Sequence, residues 1–503
     1  MNIRIVTFLL IALAVLGATY EASTPAQILE YQAMLLPGDT LLVLPGYYSM
    51  NWRLEGVSGT EDEPIVMKAQ AGATIAGTAY DNVINIYSID HVIIEGFEIT
   101  DDNGGYGIDG IKVRTGISNV VFRGLHIHGI TGVGIGANNF TDPFADVTIE
   151  DCHIHDVTGV GEGLYIGTHD GSTPVRNCIV RRNLIHDCHP AKGIQLKRNS
   201  ANCTVEDNVV YSCDEAGIVL YKSDVPELPN RVSRNAVWDC GEGIFAVAQV
   251  LIESNLIFDC PYGINVRDYS GWGMSDLGIL HNTVYGCTDR SIALSDMSSA
   301  GDDIVCCNNA VITLSEGTYA LRATSGIGTA IVENNLVYGL SDPTGQIPGG
   351  PGASEFSNPA MTPGMIDLYP LSTSNMVDAA DEVYTGSYPD FNGTTRVSPA
   401  EIGAYEFTTV ENPGWQIDTF FKETELAVTE ARPVPERAGL TAWPNPFNSA
   451  IHVDTFEKVT VFDLKGRSID IITNGLWKPS DAVPSGIYIL KNTQGLTAVT
   501  FIK

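Results

Sequence analysis

Residues 178–213 read CIVRRNLIHDCHPAKGIQLKRNSANCTVEDNVVYSC, and one phrase occurs in this stretch twice. The phrase is apolar-x-apolar-x-x-Asn-x-apolar-x-x-Cys, and it recurs with variations from residue 92 to residue 340. Its anchor position returns every 20 to 31 residues, which is the mark of a stacked repeat protein. The anchors are Phe97, Leu125, Cys152, Asn183, Asn208, Asn235, Asn255, Asn282, Asn309 and Asn335.

Each repeat offers three short strands. A second phrase, Gly-Ile-x-Leu, follows the anchor by about ten residues, as in Gly193–Leu196 and Gly217–Leu220. Because a repeat this short cannot bury its apolar face alone, its copies must stack on one another in parallel. Three stacked strands per turn predict a β-helix. The positions three and five residues before the anchor are apolar and are predicted to face inward. We interpret the anchor asparagines as a ladder that satisfies buried polar groups.

The residues two positions before the anchor begin Glu95, Arg123, Glu150 and Arg181, which alternate in sign. Because neighbouring strands lie about 4.8 Å apart, we expect an ion-pair ladder with a structural role. The cysteines of the repeat share a column with Val157 and Leu314, so we interpret them mainly as small hydrophobic residues.

The composition of the chain argues against some classes of binding partner. The chain has 503 residues, 28 Lys+Arg against 60 Asp+Glu, and a net charge of -32, which repels nucleic acid and anionic lipid. Its 51 glycines and 17% charged residues are typical of a turn-rich β protein and not of a disordered one. The predicted fold class is all-β, with a parallel β-helix solenoid followed by a small β-sandwich domain.

The amino terminus has the pattern of a signal peptide. Arg4 precedes an apolar run from Ile5 to Gly17, and small or polar residues follow. We predict a signal peptide over residues 1–22, cut between Ala18 and Ser23. A membrane anchor is the alternative, but the run is shorter than the roughly 18 to 20 residues that a membrane span needs, and no other stretch qualifies, so we expect an exported protein.

The columns and phrases of residues 40–340 resemble the right-handed parallel β-helix, or pectin-lyase-like, superfamily. The opening Pro37-Gly38-Asp39-Thr40, with Ser58-Gly59-Thr60, is similar to the amino-terminal cap of the alginate and chondroitin-type lyases. The resemblance implies a right-handed β-helix with this cap over residues 23–340. Residues 341–410 lack the repeat and resemble the closing segment of surface β-helix proteins, packed back along the solenoid.

Residues 411–438 carry charge and proline without periodicity, so we interpret them as a linker. Residues 439–503 alternate strands and turns, which predicts the β-sandwich. Their phrases resemble the type A sorting domain of the type IX secretion system. The sorting motif is Asn445, Pro446, Phe447 and Asn448. The resemblance implies the type IX secretion machinery as a partner, and a protein secreted from, or held on the surface of, a Gram-negative bacterium.

The Gly-Ile-x-Leu strands present a stripe of outward residues that mixes cations, amides and aromatic rings on an acidic protein. Such a stripe suits an anionic polysaccharide, and a plain solvated sheet face is the alternative. The predicted substrate-binding residues are Arg114, Asn138, Gln195 and Asn265.

A uronate lyase needs a base for the proton beside the carboxylate and a cation to neutralise that carboxylate. The sequence around Lys197 resembles the strand that carries the catalytic lysine in the alginate and chondroitin lyase family, which implies that Lys197 is the base. The like charges of Arg198, Arg114 and Arg267 are predicted to lower its pKa. Tyr165, His169 and Tyr221 are candidates for proton transfer, and Arg267 is the candidate cation.

Two metal sites are considered. Asp109 and Glu162 lie in loops that lead into the stripe, where they are candidate ligands of calcium. His126, His128, His153 and His155 fall in consecutive turns on another sheet and form a candidate zinc or copper site. Their column continues with Tyr211, Trp238, Phe258 and Tyr285, so a stack of aromatic rings is the alternative interpretation.

Two classes of function remain open from the sequence. One is an extracellular polysaccharide lyase that cleaves uronate polymers by β-elimination. The other is a non-catalytic, adhesin-like solenoid that binds glycans. The fold alone does not separate them. We expect a monomer in either case.

Overall fold

A computed structural model describes residues 17–138, 144–223, 229–295, 303–323, 327, 329–384 and 388–422. It also describes the carboxy-terminal residues 442–443, 451–453, 459–463, 467–472, 476–480, 483, 486–492 and 495–501. Residues 1–16, which form most of the predicted signal peptide, and the sorting motif Asn445, Pro446, Phe447 and Asn448 lie outside the described residues. No helix in the described part of the chain is long and apolar enough to cross a membrane.

The repeats fold into a parallel β-helix, so the predicted fold class is confirmed. Each turn carries three strands, here assigned to sheets 1, 2 and 3 in chain order. The two columns before the anchor, represented by Val120 and Phe122, are fully buried, and the Ile-x-Leu residues of sheet 3 meet them inside. Sheets 2 and 3 form one continuous sheet, because the strands Val209–Leu220 and Ala236–Ala246 run through both.

Sheet 1 lies just before the anchors, and three two-residue strands extend it. Its strands are Thr19–Ala22, Thr40–Val43, Ile65–Ala69, Asp90–Glu95, Ile117–Arg123, Thr148–Glu150, Ile179–Arg181, Thr204–Glu206, Asn230–Ser233, Val250–Glu253, Leu277–Leu280, Ile304–Cys307 and Ile331–Glu333. The extensions are Phe144–Ala145, Val175–Arg176 and Ser200–Ala201.

Sheet 2 follows the anchors. It contains Gly46–Ser49, Ala73–Gly77, Glu98–Asp101, His126–Ile130, His153–Val157, Leu184–Cys188, the first halves of Val209–Leu220 and Ala236–Ala246, Leu256–Phe258, Thr283–Tyr285, Ala310–Ile312, Leu336–Tyr338 and Ile347–Pro348.

Sheet 3 is made of the Gly-Ile-x-Leu strands and their equivalents. It contains Trp52–Glu55, Ile84–Tyr87, Ile111–Val113, Ile135–Ala137, Leu164–Ile166, Ile194–Leu196, the second halves of Val209–Leu220 and Ala236–Ala246, Tyr262–Arg267, Arg290–Ser295, Tyr319–Ala323 and Leu340–Ser341.

The asparagine ladder is present inside the bend between sheets 1 and 2. The Nδ2 group of Asn183 donates to Oδ1 of Asn208 at 2.9 Å, and Asn208 donates in the same way to Asn235. The series continues through Asn255, Asn282, Asn309 and Asn335 and ends on Gln346. Each amide therefore satisfies a buried acceptor of the next turn, and the ladder ties the turns together.

The predicted ion pairs also form on the outer face of sheet 1. Arg123 lies between Glu95, at 3.6 Å, and Glu150, at 2.7 Å, and Arg181 binds Glu150 from the other side at 2.7 Å. Burial favours the neutral form of Glu150, but the guanidinium groups of Arg181 and Arg123 outweigh it and lower the pKa to about 2.

The solenoid begins within the range predicted as signal peptide. Strand Thr19–Ala22 pairs in parallel with Thr40–Val43, and Ala22 is buried in the core. The helix Pro25–Gln32 follows, with Thr24 accepting a hydrogen bond from the backbone of Gln27 as its N-cap. A cut at the Ala18 end of the predicted window keeps this strand in the mature protein.

Residues 341–384 and 388–422 pack along sheet 2. They include the short helix Gly352–Glu355, the antiparallel strands Phe356–Asn358 and Asp367–Pro370, and the 3-10 helix Glu382–Tyr384. Phe391 and Tyr405 share a buried cluster with Trp238 and Phe258 of the solenoid.

Residues 411–422, which the sequence assigned to the linker, are part of this packing. The ammonium nitrogen of Lys422 is buried and lies 2.7 Å from Oδ1 of Asp207. It also donates to the carbonyl oxygens of Arg234 and Phe391. These bonds fix the end of the segment to the solenoid.

Two antiparallel sheets form the small carboxy-terminal β domain. Ala442–Trp443, Ile451–Val453 and Leu476–Trp477 make one sheet, and Ser468–Ile472, Val459–Asp463, Gly486–Asn492 and Gly495–Phe501 make the other. The rings of Trp477 and Tyr488, one from each sheet, meet edge to face at 5.3 Å inside a shared buried cluster.

All ten cysteines are buried and free. Five of them stack in one column at the carboxy-terminal end of the sheet 2 segments, where Cys188 pairs in register with Cys213 and Cys213 with Cys240. Their role in the fold is packing.

Candidate active site

The outward stripe of sheet 3 forms by direct strand register. Tyr165 lies beside Gln195, Gln195 beside Val219, and Val219 beside Phe245. The stripe continues to Asn265. Lys197 follows the strand Ile194–Leu196, and its backbone N–H donates to the carbonyl of Ile166 in the preceding turn, which holds it in the solenoid.

Lys197 is enclosed by two tyrosines. Its Nζ atom lies 4.9 Å from the ring centre of Tyr165 in the preceding turn and 4.4 Å from that of Tyr221 in the next turn. Lys197 is only 8% exposed, although the sequence pattern alone places it on an outward face. The structure therefore brings together three of the predicted catalytic residues.

Burial is the main cause of a low pKa at Lys197. Removal from water disfavours the ammonium form, the nearby Lys192 adds repulsion, and Glu162 opposes both, so that the pKa is lowered to about 8. The sequence argument named different cations. Arg198 lies 4.8 Å from the ring centre of Trp272, and Arg114 binds Asn85, so other groups account for the shift.

The two phenols are shifted in the opposite direction. Burial, with a contribution from Glu162, raises the pKa of Tyr165 to about 12. Burial and the neighbouring Tyr269 raise the pKa of Tyr221 to about 12 as well. At neutral pH both phenols carry their protons, and a fraction of Lys197 is neutral. The site thus sets one base between two potential acids.

An aromatic wall, defined as Tyr221, Phe245, Tyr269 and Trp272, borders this site. The rings of Tyr221 and Tyr269 lie 5.3 Å apart, those of Tyr269 and Trp272 5.2 Å, and those of Tyr221 and Phe245 6.0 Å. Tyr269 and Trp272 come from the loop 268–276, whose Trp272 carbonyl accepts a hydrogen bond from Nζ of Lys222. The sequence analysis missed both residues.

A signal for this loop exists in the sequence. Residues 268–276 separate a sheet 3 strand from the next sheet 1 strand, whereas the preceding turn uses only residues 247–249 for the same connection. A long, aromatic-rich insertion at the edge of a solenoid is a candidate binding loop.

Two amides lie in the stripe. Gln195 is 2% exposed, and its Oε1 atom has no hydrogen-bond partner in the described part of the chain. Asn265 donates to Glu242 at 3.2 Å. A buried, unpaired acceptor costs free energy, so Gln195 is a natural contact for a ligand hydroxyl group.

Arg267 does not reach Lys197. It lies three strands further along sheet 3, about 14 Å away at the spacing of a sheet. Its guanidinium lies 3.7 Å from Glu242 and 5.0 Å from the ring centre of Phe245. Arg267 is therefore placed to contact a different unit of a chain-like ligand from the one at Lys197.

His169 is exposed in the turn after Leu164–Ile166, and no described contact joins it to Lys197 or to either tyrosine. At the amino-terminal end of the stripe, Lys112 donates to Asn138 at 2.6 Å and pairs with Asp109 at 2.8 Å. Arg114 also lies 3.2 Å from Asp81.

The two predicted calcium ligands do not fit that ion. One oxygen of Asp109 accepts the backbone N–H of Val133, and the other binds the Lys112 ammonium group. Glu162 lies two strands further along sheet 3, in an environment that raises its pKa through burial. Calcium requires six to eight oxygen ligands, and a lysine already neutralises the one carboxylate that is well placed.

The four predicted histidines do come together, on the outer face of sheet 2. His126 pairs in register with His153 and His128 with His155, and the rings of each pair are stacked at 5.0 and 5.4 Å. The predicted aromatic stack is present too. It runs from His155 through His186, Tyr211 and Trp238 to Phe258.

Comparison with known proteins agrees with the fold. The family model for the right-handed beta helix region matches residues 65–227, 140–250 and 193–347, which together cover more than half of the chain. The chain therefore belongs to the right-handed β-helix family. No curated protein matches it.

Several solved structures align with this chain. A mutant of a PL6 family alginate lyase aligns with a TM-score of 0.49 and 15% identity, over 74% of this chain and 60% of its own. A pectate lyase aligns with a TM-score of 0.42 and 16% identity, over 75% and 90%. The GH136 lacto-N-biosidase from Eubacterium ramulus aligns with a TM-score of 0.44 and 14% identity, over 64% and 68%. These likenesses concern the fold alone, so function has to be argued from the site.

Proposed function

We propose that this protein is a polysaccharide lyase that cleaves uronate polymers by β-elimination along sheet 3. The observation that carries the proposal is the enclosure of Lys197 between Tyr165 and Tyr221, at 4.9 and 4.4 Å from their ring centres. The arrangement supplies a base and an acid next to each other, on a stripe of sheet 3 that continues over several turns.

Lys197 is the base of the proposed reaction. Its neutral amine takes the proton from the carbon beside the uronate carboxylate, for which a pKa of about 8 is well matched. The electron pair of that C–H bond forms a carbon–carbon double bond, and the bond to the glycosidic oxygen on the next carbon breaks. A phenol proton, from Tyr221 or Tyr165, goes to the departing oxygen.

Positive charge at the carboxylate lowers the energy of the carbanion-like transition state. Arg198 is the proposed source, because its guanidinium lies 4.8 Å from the ring centre of Trp272, and Trp272 in turn lies 6.0 Å from Tyr221. The whole step therefore uses side chains of this protein and routes nothing through a metal ion.

The aromatic wall holds the sugar rings. Aromatic side chains bury a large apolar area at low entropic cost, and a binding site combines them with a few convergent polar groups. Gln195, Asn265 and Arg267 provide those groups along the stripe. A ligand that spans from Lys197 to Arg267 is about 14 Å long, so the proposed substrate is an oligomer or polymer.

A second candidate is a glycan-binding solenoid without catalysis. The ring faces of Tyr165 and Tyr221 also stabilise a lysine ammonium group through cation–π interaction, which is a structural role. In that case the aromatic wall binds the glycan, and Lys197 only supports the wall.

The route of export belongs to the proposal as well. The apolar run before Gly17 and the phrases of residues 439–503 support a signal peptide and a type IX sorting domain, and hence a protein at or outside the surface of a Gram-negative cell. The two antiparallel sheets formed by the described carboxy-terminal residues support the sorting domain.

The deciding experiment is an activity screen of the purified chain. Alginate, pectate and chondroitin-type polymers are offered, with a glucan and a xylan as uncharged controls, and the unsaturated product is followed by ultraviolet absorbance. Product from a uronate polymer, lost in Lys197→Ala and kept in Lys68→Ala, supports the lyase. Lys68 is a matched lysine on sheet 1, paired with Glu95. Binding of a glycan without product supports the binding solenoid.

A further inference from the structure

The histidine cluster, defined as His126, His128, His153, His155 and His186, lies on three consecutive turns of sheet 2. Lys197, in contrast, follows the strand Ile194–Leu196 of sheet 3. Within the cluster, one ring nitrogen from each of His126, His153 and His155 lies within 4.8 Å of the other two. A second such group consists of Glu98, His126 and His128. These are the two groups of three or more metal-binding side chains found in the described part of the chain.

The spacing of the nitrogens is close to that of ligands on one ion. Nε2 of His126 lies 2.8 Å from Nε2 of His155. Nε2 of His153 lies 2.8 Å from Nε2 of His186. Two ligands at 2.0–2.1 Å on a tetrahedral ion lie roughly 3.3 Å apart, so a small rotation of each ring makes room.

Two aspartate carboxylates bind Nδ1 of histidine rings in the cluster and so fix the direction of the lone pair on Nε2 of those rings. Nδ1 of His155 lies 2.9 Å from Oδ2 of Asp156, and Nδ1 of His186 lies 2.7 Å from Oδ2 of Asp187. Each Nδ1 donates its hydrogen to the carboxylate, which leaves the Nε2 atom of that ring as an unprotonated acceptor. This carboxylate–histidine pairing is the arrangement that surrounds metal-binding imidazoles.

The backbone explains why the carboxylates are there. Asp156 and Asp187 have φ angles of 50° and 51°, a left-handed conformation in which aspartate is among the tolerated residues. In later turns the equivalent Asp239 and Asp259 follow Trp238 and Phe258, which bind no metal. Where a histidine precedes the aspartate, as at His155 and His186, the aspartate carboxylate also orients the imidazole ring.

The cluster is open on one side. The side chains of His128 and Glu98 are 27% and 38% exposed, and Nε2 of His128 lies 3.0 Å from Oε1 of Glu98. His153 is more enclosed and has the ring of Phe421 edge-on at 6.1 Å.

We propose that the histidine cluster binds one divalent transition-metal ion of the zinc or copper type, through His126, His153 and His155. Imidazole nitrogens favour these ions over calcium and magnesium. The ion takes the place of the hydrogen between Nε2 of His126 and Nε2 of His155, and that hydrogen moves to Nδ1 of His126. Because its ligands come from two adjacent turns, the ion joins those turns and stabilises the folded solenoid by mass action.

The test uses the full chain after treatment with a chelator. Zinc is titrated by calorimetry, and cobalt is used as a spectroscopic probe of the ligand set. We expect one ion per chain, a higher melting temperature with zinc, and cobalt absorption bands typical of nitrogen ligands. His126→Ala and His155→Ala should each weaken zinc binding by tenfold or more. The matched control His169→Ala, which removes an exposed histidine from the turn after a sheet 3 strand, should leave it unchanged.

Three outcomes would overturn the proposal. These are no saturable zinc binding, binding that the cluster variants do not change, and cobalt bands of thiolate ligands, which would assign the ion to the cysteines. His155→Asn keeps a polar side chain beside Asp156 and serves if an alanine variant fails to fold. A folded His155→Asn that binds zinc as tightly as the native chain also rejects the site.

Discussion

The Nζ atom of Lys197 lies 4.4 Å from the ring centre of Tyr221, in the next turn of the solenoid. This contact takes the amine out of water and places it beside a phenol that keeps its proton. Removal of the amine tests whether the contact is catalytic. Lys197→Ala should lower kcat by a hundredfold or more with an unchanged melting temperature, because a positioned base typically contributes 10²–10⁴-fold. Activity on the polymer identified in the screen is the measurement. Retained activity would assign the proton abstraction to another group.

The pH dependence of the reaction follows from the lowered pKa of Lys197, on which the Glu162 carboxylate and the Lys192 ammonium group act in opposite directions. The neutral amine is the active form, so kcat/KM should rise with pH, about tenfold per unit below pH 8, and level off above it. Glu162→Gln removes the charge that favours the ammonium form and should shift the profile to lower pH. Lys192→Met removes the charge that disfavours it and should shift the profile to higher pH. Shifts in the same direction for both variants would contradict the assignment of the base.

The lowered pKa of Lys197 also makes the stability of the folded protein rise with pH, as it does kcat/KM. The pKa of Lys197 is lowered in the folded protein relative to an ordinary lysine, so the folded state binds fewer protons than the unfolded state between about pH 8 and 10.5. Its contribution to the free energy of unfolding therefore rises with pH in that window and is lost as the pH falls through 8. Lys197→Met should flatten this part of the stability profile in urea unfolding.

Trp272 is expected to contribute to binding more than to chemistry. Trp272→Ala should raise KM by about tenfold and change kcat little, because an aromatic anchor at a binding surface is worth roughly 1–2 kcal/mol. Initial rates over a range of polymer concentrations separate the two constants. Phe420→Ala is the control, since Phe420 is an exposed ring on the segment that covers sheet 2. An equal loss in kcat would show that the loop 268–276 positions the catalytic groups.

The asparagine ladder should be a major source of stability. Asn208→Ala removes an acceptor from Asn183 and a donor from Asn235, and both partners are fully buried. Each unsatisfied polar group costs about 1–3 kcal/mol, so we expect a loss of about 3 kcal/mol or more in urea unfolding. Asn375→Ala, at an exposed site, should cost less than about 0.5 kcal/mol. Equal effects of the two substitutions would contradict the role of the ladder.

Deletion of residues 439–503 should leave the β-helix folded. The buried cluster around Val461 and Leu490 is separate from that of the solenoid. In a host with type IX secretion machinery, the truncated protein should keep its melting temperature but fail to reach the medium or the cell surface. Fractionation of the cells measures this. Normal release of the truncated protein would reject the sorting function.

The repeat made the solenoid predictable to the level of strand register. Asn183, Asn208 and Asn235 occupy the same place in the phrase, and a buried amide can be satisfied in every turn only if its equivalents stack. The outward direction of Tyr165, Gln195 and the histidines followed from the same period. Equivalent residues of successive repeats occupy equivalent places in successive turns. The positions of these side chains could therefore be predicted from the repeat alone.

The parts that do not repeat were beyond that reasoning. Trp272 reaches Tyr221 because of the path of an irregular loop, and Lys422 meets Asp207 across 215 residues of sequence. The burial of Lys197 depends on how two tyrosine rings from adjacent turns close over it, which is a matter of side-chain conformation. For that reason the sequence argument named the lysine that the tyrosines enclose but attributed its low pKa to Arg198, Arg114 and Arg267, whereas burial and Lys192 lower it.

The ten buried thiols have a consequence for the lifetime of the protein. All ten are shielded from solvent while the solenoid is closed, and burial raises the pKa of Cys287 to about 12, so that thiol stays in its unreactive protonated form. Once a molecule opens in an oxidising medium, the same thiols become available for wrong disulfides that prevent refolding. In such a medium the rate of opening, and not the equilibrium between folded and unfolded chains, therefore sets how long the protein survives.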